Sequence, residues 1–217
     1  MTRSLFDEPP PPYEAPEAIA PGAMLLRGFA CDQAELLIQA VQQVTAAARF
    51  RHLMTPGGRV MSVAMSNCGA LGWVSDRTGY RYSSTDPLTG LPWPPMPVCF
   101  ADLALRAGAE AGFDGFAPDA CLINRYAPGA RMSLHQDRDE SSLSAPIVSV
   151  SLGLPAIFLF GGLLRSDRPA RLRLAHADVA VWGGPSRLAY HGIAPLADGD
   201  HPRLGRQRIN LTFRRAG

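Results

Sequence analysis

The chain has 217 residues, of which 47% are hydrophobic, and its formal net charge is +2. This length is sufficient for one domain with a sizeable core, and the composition is that of a globular protein. The small net charge means that bulk electrostatics do not require a nucleic-acid partner. No apolar run approaches the roughly 18 residues of a membrane span, and the N-terminus lacks the continuous apolar core of a secretion signal.

The basic residues and the cysteines indicate which ligands and which cysteine-based sites the chain can have. All 21 basic residues are arginines, so every basic contact is made by a planar guanidinium, which suits bidentate binding of carboxylate or phosphate. The four cysteines form no CxxC pair, which argues against a zinc ribbon and favours reduced thiols in a cytoplasmic protein. They are Cys31, Cys68, Cys99 and Cys121.

The first half of the chain predicts an arm, a helix, a loop-rich segment and a second helix. Residues 1–21 are rich in proline, which is typical of a flexible arm. Asp32 with Glu35 resembles a capping box that opens a helix through about residue 48. Glycines and aromatics over about 54–97 indicate hairpins and loops, and a second helix is predicted from Pro97 to about residue 112. Helical spacing predicts buried positions at Leu36, Leu37, Ala40, Val41 and Val44, and at Phe100, Leu103, Ala104 and Ala107.

The second half predicts a string of short strands separated by glycine, proline and aspartate. About eight such strands favour a mainly β fold, a sandwich or jelly-roll barrel, with the two helices flanking it. The predicted strands are 120–126, 132–137, 147–152, 156–160, 171–174, 178–183, 187–192 and 207–214.

The segment His135-Gln136-Asp137 carries the strongest chemical signal. Side chains two residues apart on a strand point the same way, so His135 and Asp137 can face one point. A further histidine would complete two histidines and one carboxylate, the set that leaves positions open on a non-haem Fe(II) ion. His191 is predicted to be that histidine, because the long interval from Asp137 leaves room for several strands around a barrel.

A second His-x-Asp sequence shows that the motif alone is not specific. His176-Ala177-Asp178 stands at the entry to an apolar strand, where aspartate commonly serves a turn. It also lies close in sequence to His191. The catalytic metal site is therefore predicted at the first motif and consists of His135, Asp137 and His191.

The last predicted strand alternates polar and apolar residues. An edge strand with a wet polar face would be the ordinary explanation, but unpaired charge inside a barrel is expensive. A dicarboxylate between two arginines would account for it, and a five-carbon keto diacid fits, because its keto acid end can chelate iron. Asn124 and Tyr126, on another strand, can donate to the same acid. The polar face of the last strand consists of Arg208, Asn210, Thr212 and Arg214.

These residues resemble the AlkB family of iron- and 2-oxoglutarate-dependent nucleic-acid demethylases. The resemblance implies a double-stranded β-helix (jelly-roll) barrel at about 119–217, preceded by an N-terminal nucleotide-recognition lid at about 54–97, in a single domain of residues 22–217. The resemblance covers nearly the whole chain and rests on sequence blocks that are far more specific than the His-x-Asp motif. The blocks are 118–129, 134–137, 146–153, 181–184, 190–192 and 208–214.

The resemblance implies Fe(II) as cofactor, with 2-oxoglutarate and O2 as cosubstrates. Arg214 would serve the carboxylate near the metal, and Arg208 the distal one. The implied reaction removes the methyl group of 1-methyladenine or 3-methylcytosine in DNA as formaldehyde, with succinate and CO2 as coproducts, and so reverses alkylation damage directly. The implied 2-oxoglutarate ligands are Asn124, Tyr126, Arg208, Asn210 and Arg214.

The resemblance also implies a pocket for a base extruded from the stack. Trp73 would lie against the base, whose positive charge is attracted to an indole face. Without the resemblance, the aromatics are more simply core residues and Arg165 is a hairpin-tip charge, whereas Asp139 fits a solvated turn charge and a carboxylate near the exocyclic amine equally well. The implied substrate contacts are Trp73, Tyr80, Arg81, Tyr82, Asp139 and Arg165.

Two other functions are open at this point. A 2-oxoglutarate-dependent hydroxylase of a protein or small molecule can use the same barrel, and a binding module would have no chemistry. Trp73, Asp139 and Arg165 argue against the first, and the intact ligand set argues against the second. The predicted partner is alkylated single- or double-stranded DNA, with RNA left open; the protein is expected to be a cytoplasmic monomer without a membrane partner.

Overall fold

The computed structural model describes residues 15–217. The first helix α1 and the second helix α2 span Ala34–Ala47 and Val98–Glu110. The strands that precede α2 are β1 Glu17–Ala20, β2 Ala23–Leu26, β3 Arg51–Met54, β4 Val60–Gly69, β5 Gly72–Asp76 and β6 Gly79–Ser83. Those that follow it are β7 Ala120–Tyr126, β8 Met132–His135, β9 Ile147–Gly153, β10 Ala156–Phe160, β11 Ala170–Leu174, β12 Val179–Trp182, β13 His191–Ile193 and β14 Arg208–Arg214.

The strands form a large sheet, a small sheet and a separate hairpin. The large sheet has the order β1-β2-β12-β9-β14-β7-β4-β3, the small sheet has the order β11-β10-β13-β8, and β5 pairs with β6. Apolar residues of both sheets pack in one cluster, so the sheets face each other as the two walls of a jelly-roll barrel. This arrangement confirms the predicted fold.

Two apolar clusters lie on opposite faces of the large sheet. The helices α1 and α2 cover the outer face, and the small sheet covers the inner face. β14 lies near the middle of the large sheet, and Ile209, Leu211 and Phe213 point from it toward the helices. Because side chains alternate along a strand, its polar residues must point into the barrel. All seven residues of β14 are buried.

Both predicted helices are present, with two corrections. A 3-10 turn at Cys31–Gln33 precedes α1, whose N-terminus has no side-chain cap, so the predicted capping box of Asp32 and Glu35 is wrong. Leu36 is exposed rather than buried, because the burial stripe of α1 runs through Ile38 instead. In α2 the four positions predicted to be buried are indeed buried.

The strand predictions are confirmed from β7 to β12 and for β14, with shifts of one or two residues at the ends. The predicted strand 187–192 is wrong in its first part, because a 3-10 turn at Gly184–Ser186 and a following turn lead into β13. The flexible or extended arm predicted for 1–21 ends in the extended strand β1, which pairs with β2. Its residues 1–14 lie outside the described part of the chain.

Within the predicted lid, β4 pairs with β7 and belongs to the large sheet, whereas the β5–β6 hairpin forms a sheet of its own. Among residues 15–217, no helix is long and apolar enough to span a membrane.

The burial pattern of α1 gives a test of the fold. Leu37 is fully buried between the helix and the large sheet, whereas its neighbour Leu36 is 51% exposed. Replacing Leu37 by alanine is expected to lower the free energy of unfolding by about 2–5 kcal/mol, because it leaves a cavity in the core. Leu36→Ala, the matched control, is expected to change it by less than about 0.5 kcal/mol. Urea unfolding followed by circular dichroism measures both, and equal effects would contradict the helix orientation.

Candidate metal centre and substrate cavity

The three predicted metal ligands meet at one point between β8 and β13. His135 on β8 is the register partner of His191 on β13, and Asp137 follows β8. Asp137 lies 3.5 Å from Nε2 of His135 through one carboxylate oxygen and 3.6 Å from Nε2 of His191 through the other. The ligand atoms of all three residues lie within 4.8 Å of one another. One small cation can therefore contact all three.

Each histidine is oriented by its other ring nitrogen. Nδ1 of His135 lies 3.0 Å from the carbonyl oxygen of Ser133, and Nδ1 of His191 lies 2.9 Å from that of Ala189. A carbonyl oxygen can only accept, so each Nδ1 carries the hydrogen and each Nε2 offers its lone pair. Metal-binding histidines are commonly oriented in this way. The donor set of two imidazoles and one carboxylate thus fits Fe(II) and leaves part of its coordination sphere open.

Charge on these groups is set by burial and by their contacts. Although burial lowers it, the pKa of His135 is raised above its ordinary value by the Asp137 carboxylate. Burial and the neighbouring His135 lower the pKa of His191. Burial opposes the charge of Asp137, but Arg214 and the two histidines hold the pKa of Asp137 well below its ordinary value. Asp137 is therefore ionised at neutral pH, as a metal ligand must be.

Arg214 joins the metal site to the polar face of β14. Its Nη2 and Nε donate to one carboxylate oxygen of Asp137 at 2.6 Å and 3.0 Å. The anionic neighbours, Asp137 first, outweigh burial and raise the pKa of Arg214, so this guanidinium keeps its charge. The arginine predicted to serve the carboxylate near the metal thus does lie beside a metal ligand.

Arg208 occupies the other end of the same strand face, and it is only 1% exposed. Nη2 donates to the hydroxyl of Ser151 at 2.9 Å, and the guanidinium lies over the ring of Tyr126 at 5.1 Å. Nε and Nη1, however, are buried without a hydrogen-bond partner. Leaving donors of a buried charge unpaired is costly, so this position fits a carboxylate that would accept from them.

The remaining polar residues of this region form a chain of hydrogen bonds. Asn210 accepts from Asn124 at 3.2 Å and from Thr212 at 2.9 Å, and it donates to Ser149 at 2.8 Å. The side-chain oxygen of Asn124 is buried without a partner. All the residues predicted to bind 2-oxoglutarate therefore line one wall of the barrel interior; they are Asn124, Tyr126, Arg208, Asn210 and Arg214.

A cavity of about 730 Å³ contains the triad and this wall, and the β5–β6 hairpin borders it. The rings of Trp73 and Tyr80 stack at 5.4 Å, and Nε1 of Trp73 donates to Asp139 at 2.9 Å. Arg165 also lines the cavity and lies over the ring of Tyr190 at 5.8 Å. Four of the six predicted substrate contacts are thus brought together at the mouth of one cavity.

The other two predicted contacts lie elsewhere on the hairpin. Arg81 is exposed and pairs with Asp76 at 2.8 Å, and it is not part of the described cavity wall. The hydroxyl of Tyr82 donates to Glu140 at 2.8 Å. Burial, more than the surrounding charges, raises the pKa of Tyr82, so this hydroxyl stays protonated. The structure therefore does not bring Arg81 or Tyr82 to the cavity.

The second His-x-Asp sequence is a structural turn, as expected. Nδ1 of His176 accepts from the backbone amide of Gly153 at 3.0 Å. The carboxylate of Asp178 accepts from the amides of Gly28 and Ala175 and pairs with Arg27 at 3.0 Å. Nδ1 of His176 and both carboxylate oxygens of Asp178 are thus occupied within the fold, and within residues 15–217 this sequence belongs to no group of three metal-binding side chains.

Two buried residues of the site were missed by the sequence analysis. The side chains of Glu140 and Arg187 are 2% and 4% exposed and pair at 3.1 Å. Arg187 also donates to the carbonyl oxygens of Asp137 at 2.7 Å and Ala145 at 2.9 Å. The proximity of Arg187 to His191 in the sequence was the one available signal, because burial of a charged residue in a turn cannot be recognised from periodicity.

Comparison with known proteins agrees with this geometry. The sequence model of the 2OG-Fe(II) oxygenase superfamily matches residues 22–214. The chain is 58% identical over 205 residues to the alpha-ketoglutarate-dependent dioxygenase AlkB of Salmonella typhimurium, which covers 94% of this chain and 95% of the relative. It is 60% identical over 201 residues to the protein of that name in Escherichia coli, with 93% of each chain covered.

Among solved structures, that of OsALKBH1 superposes with a TM-score of 0.77 at 29% identity, and it covers 92% of this chain and 99% of the other. The fold and the metal triad define an iron- and 2-oxoglutarate-dependent dioxygenase. Within that superfamily, the chain belongs to the AlkB family.

The two His-x-Asp sequences provide matched variants for the metal site. His135→Ala removes one of three ligands and is expected to abolish binding of Co(II), a spectroscopic substitute for Fe(II). His176→Ala is expected to leave Co(II) binding unchanged, because His176 has a structural partner only. Anaerobic titration followed by absorption measures both. Loss of Co(II) binding in the His176 variant alone would place the metal at the second His-x-Asp sequence and contradict the assignment to His135.

Proposed function

We propose that this dioxygenase removes N-linked methyl groups from 1-methyladenine and 3-methylcytosine in DNA, and so reverses alkylation damage directly. The observation that carries the proposal is the single cavity in which the triad, the acid-binding wall and the stacked Trp73–Tyr80 pair meet. An extruded base needs a flat apolar face next to the reacting centre, and this pair supplies it. A cytoplasmic monomer stays the prediction from the sequence.

The metal and the cosubstrate are held by the chain's own residues. His135, Asp137 and His191 would hold Fe(II), and Arg208 would bind the distal carboxylate of 2-oxoglutarate through its unpaired donors. Arg214 holds Asp137 and would also donate to the carboxylate near the metal. When bound, Fe(II) would allow O2 to oxidise the methyl group, coupled to conversion of 2-oxoglutarate to succinate and CO2. The hydroxylated methyl group then leaves the ring nitrogen as formaldehyde.

The base would be recognised by charge as well as by shape. Methylation of these ring nitrogens makes the base cationic, and a cation is attracted to the face of an indole such as Trp73. Asp139 accepts from Trp73 and is thereby oriented at the cavity, where its carboxylate can accept from an exocyclic amine. Arg165 stands at the cavity mouth with Arg131 and Arg138, where guanidinium groups can meet phosphates.

A hydroxylase of a protein or a small molecule would use the same metal and cosubstrate. The stacked aromatic pair with a carboxylate hydrogen-bonded to its indole favours a flat cationic base over such substrates. RNA presents the same methylated bases, so RNA is kept as an alternative substrate for the experiment to separate.

The test of the proposal is single turnover on defined oligonucleotides. The protein is loaded with Fe(II) and 2-oxoglutarate without oxygen, and O2 is then added with DNA or RNA that carries 1-methyladenine or 3-methylcytosine. We expect the mass of one methylene group to be lost from the DNA with about one succinate formed for each. Unmethylated oligonucleotide is the control. Succinate formation without loss of mass from any of these oligonucleotides would contradict the proposal.

The unpaired donors of Arg208 predict its role in cosubstrate binding. Arg208→Met keeps the aliphatic stem but removes the guanidinium, so the 2-oxoglutarate concentration for half-maximal turnover should rise at least tenfold, as expected for loss of a charge-assisted pair. Arg203→Met, the control, removes an exposed arginine that pairs with Glu35 and should leave this value unchanged. Steady-state kinetics at varied 2-oxoglutarate measure this concentration. Equal half-maximal concentrations for the two variants would exclude Arg208 from the acid site.

A further inference from the structure

The segment between Asp137 and Ala145 has no regular secondary structure, yet it carries a metal ligand. A loop without a ladder of backbone hydrogen bonds needs other contacts to hold a ligand within a few tenths of an ångström. Arg187 provides them, since its guanidinium donates to the carbonyl oxygens of both end residues and pairs with Glu140 in between. Because Arg187 lies on the turn that leads to His191, it also ties together the two chain segments that carry these ligands.

Glu140 lies at the centre of these contacts. Its carboxylate pairs with Arg187 at 3.1 Å and with Arg214 at 3.4 Å, and Arg214 in turn holds Asp137. Two carboxylates and two guanidiniums are thus buried together, and their charges balance. Loss of the charge of Glu140 would leave two buried guanidiniums with one carboxylate, and both would then compete for Asp137, which is a metal ligand.

The β5–β6 hairpin reaches the same segment through two hydrogen bonds. Trp73 and Tyr82 are register partners on the hairpin. Trp73 donates to Asp139, and Tyr82 donates to Glu140 at 2.8 Å. The hairpin that supplies the aromatic wall of the cavity is therefore bonded to the loop that carries Asp137, at two consecutive residues.

We propose that Glu140 is a positioning residue for the metal ligand Asp137, and that Tyr82 acts through Glu140 to tie the hairpin to the metal site. Glu140 and Tyr82 touch neither the metal position nor the cavity among the described residues. Their effect is exerted through Arg187 and Arg214, which fix the backbone and the carboxylate of Asp137. The inference rests on the metal site of the proposed function but not on its substrate.

The experiment measures anaerobic Co(II) binding by the full chain, with its visible absorption spectrum as a reading of ligand geometry. Glu140→Gln keeps the shape of the side chain and removes its charge, so Co(II) should bind about 10–100-fold more weakly, with a shifted spectrum. Tyr82→Phe should also weaken Co(II) binding, by a smaller factor than Glu140→Gln. The double variant should bind no more weakly than Glu140→Gln alone, because Tyr82 acts through Glu140.

Glu35→Gln is the matched control, since it removes an exposed carboxylate that pairs with Arg203, and it should bind Co(II) like the unmodified chain. Affinity and spectrum of Glu140→Gln equal to those of this control would overturn the proposal, as would a full additional effect of Tyr82→Phe in the double variant. If Glu140→Gln does not fold, Tyr82→Phe decides alone, and unchanged Co(II) affinity and spectrum overturn the proposal. Co(II) binding needs no turnover, so failure of demethylation with these binding changes present would reject the proposed function only.

Discussion

Balance of buried charge is the constraint on which the site depends. Asp137 has to stay ionised inside the barrel to serve as a ligand, although burial opposes its charge. Arg214 stabilises this charge by pairing with Asp137. Arg214 also pairs with Glu140, and Glu140 in turn pairs with Arg187. The metal centre is therefore not three residues placed on a barrel, but one end of a buried network of alternating charges.

The alternation of β14 allows one strand to serve both core and site. Its apolar residues complete the packing of α1 and α2 against the large sheet, while its polar residues line the barrel interior. Its pairing with β7 and β9 on either side holds both arginines rigidly, at opposite ends of one face. A shift of the strand by one residue would exchange the two faces, so the core fixes the register of the acid-binding wall.

Strand faces and ligand pairs that depend on a short sequence period could be predicted from the sequence, whereas contacts between distant loops could not. The alternation of 208–214 and the spacing of His135 and Asp137 are local, and the structure places these residues as expected. The capping box failed because Asp32 lies within a 3-10 turn rather than at the start of α1, and Glu35 pairs instead with Arg203, far along the chain. The partnership of Tyr82 with Glu140 joins a hairpin to an irregular loop, and no periodicity of either segment contains that information.

The Arg208 guanidinium also links the stability of the fold to an anion. Nε and Nη1 of this buried guanidinium have no partner within the fold, so an anion bound there would add hydrogen bonds to the folded state. Any ligand that binds only the folded state adds RT ln(1 + [L]/Kd) to its stability, which is about 2.7 kcal/mol at one hundred times Kd. The resistance of this fold to heat or proteolysis should therefore follow the local concentration of its dicarboxylate cosubstrate. Binding of the cosubstrate and stability of the fold would then be two readings of one equilibrium.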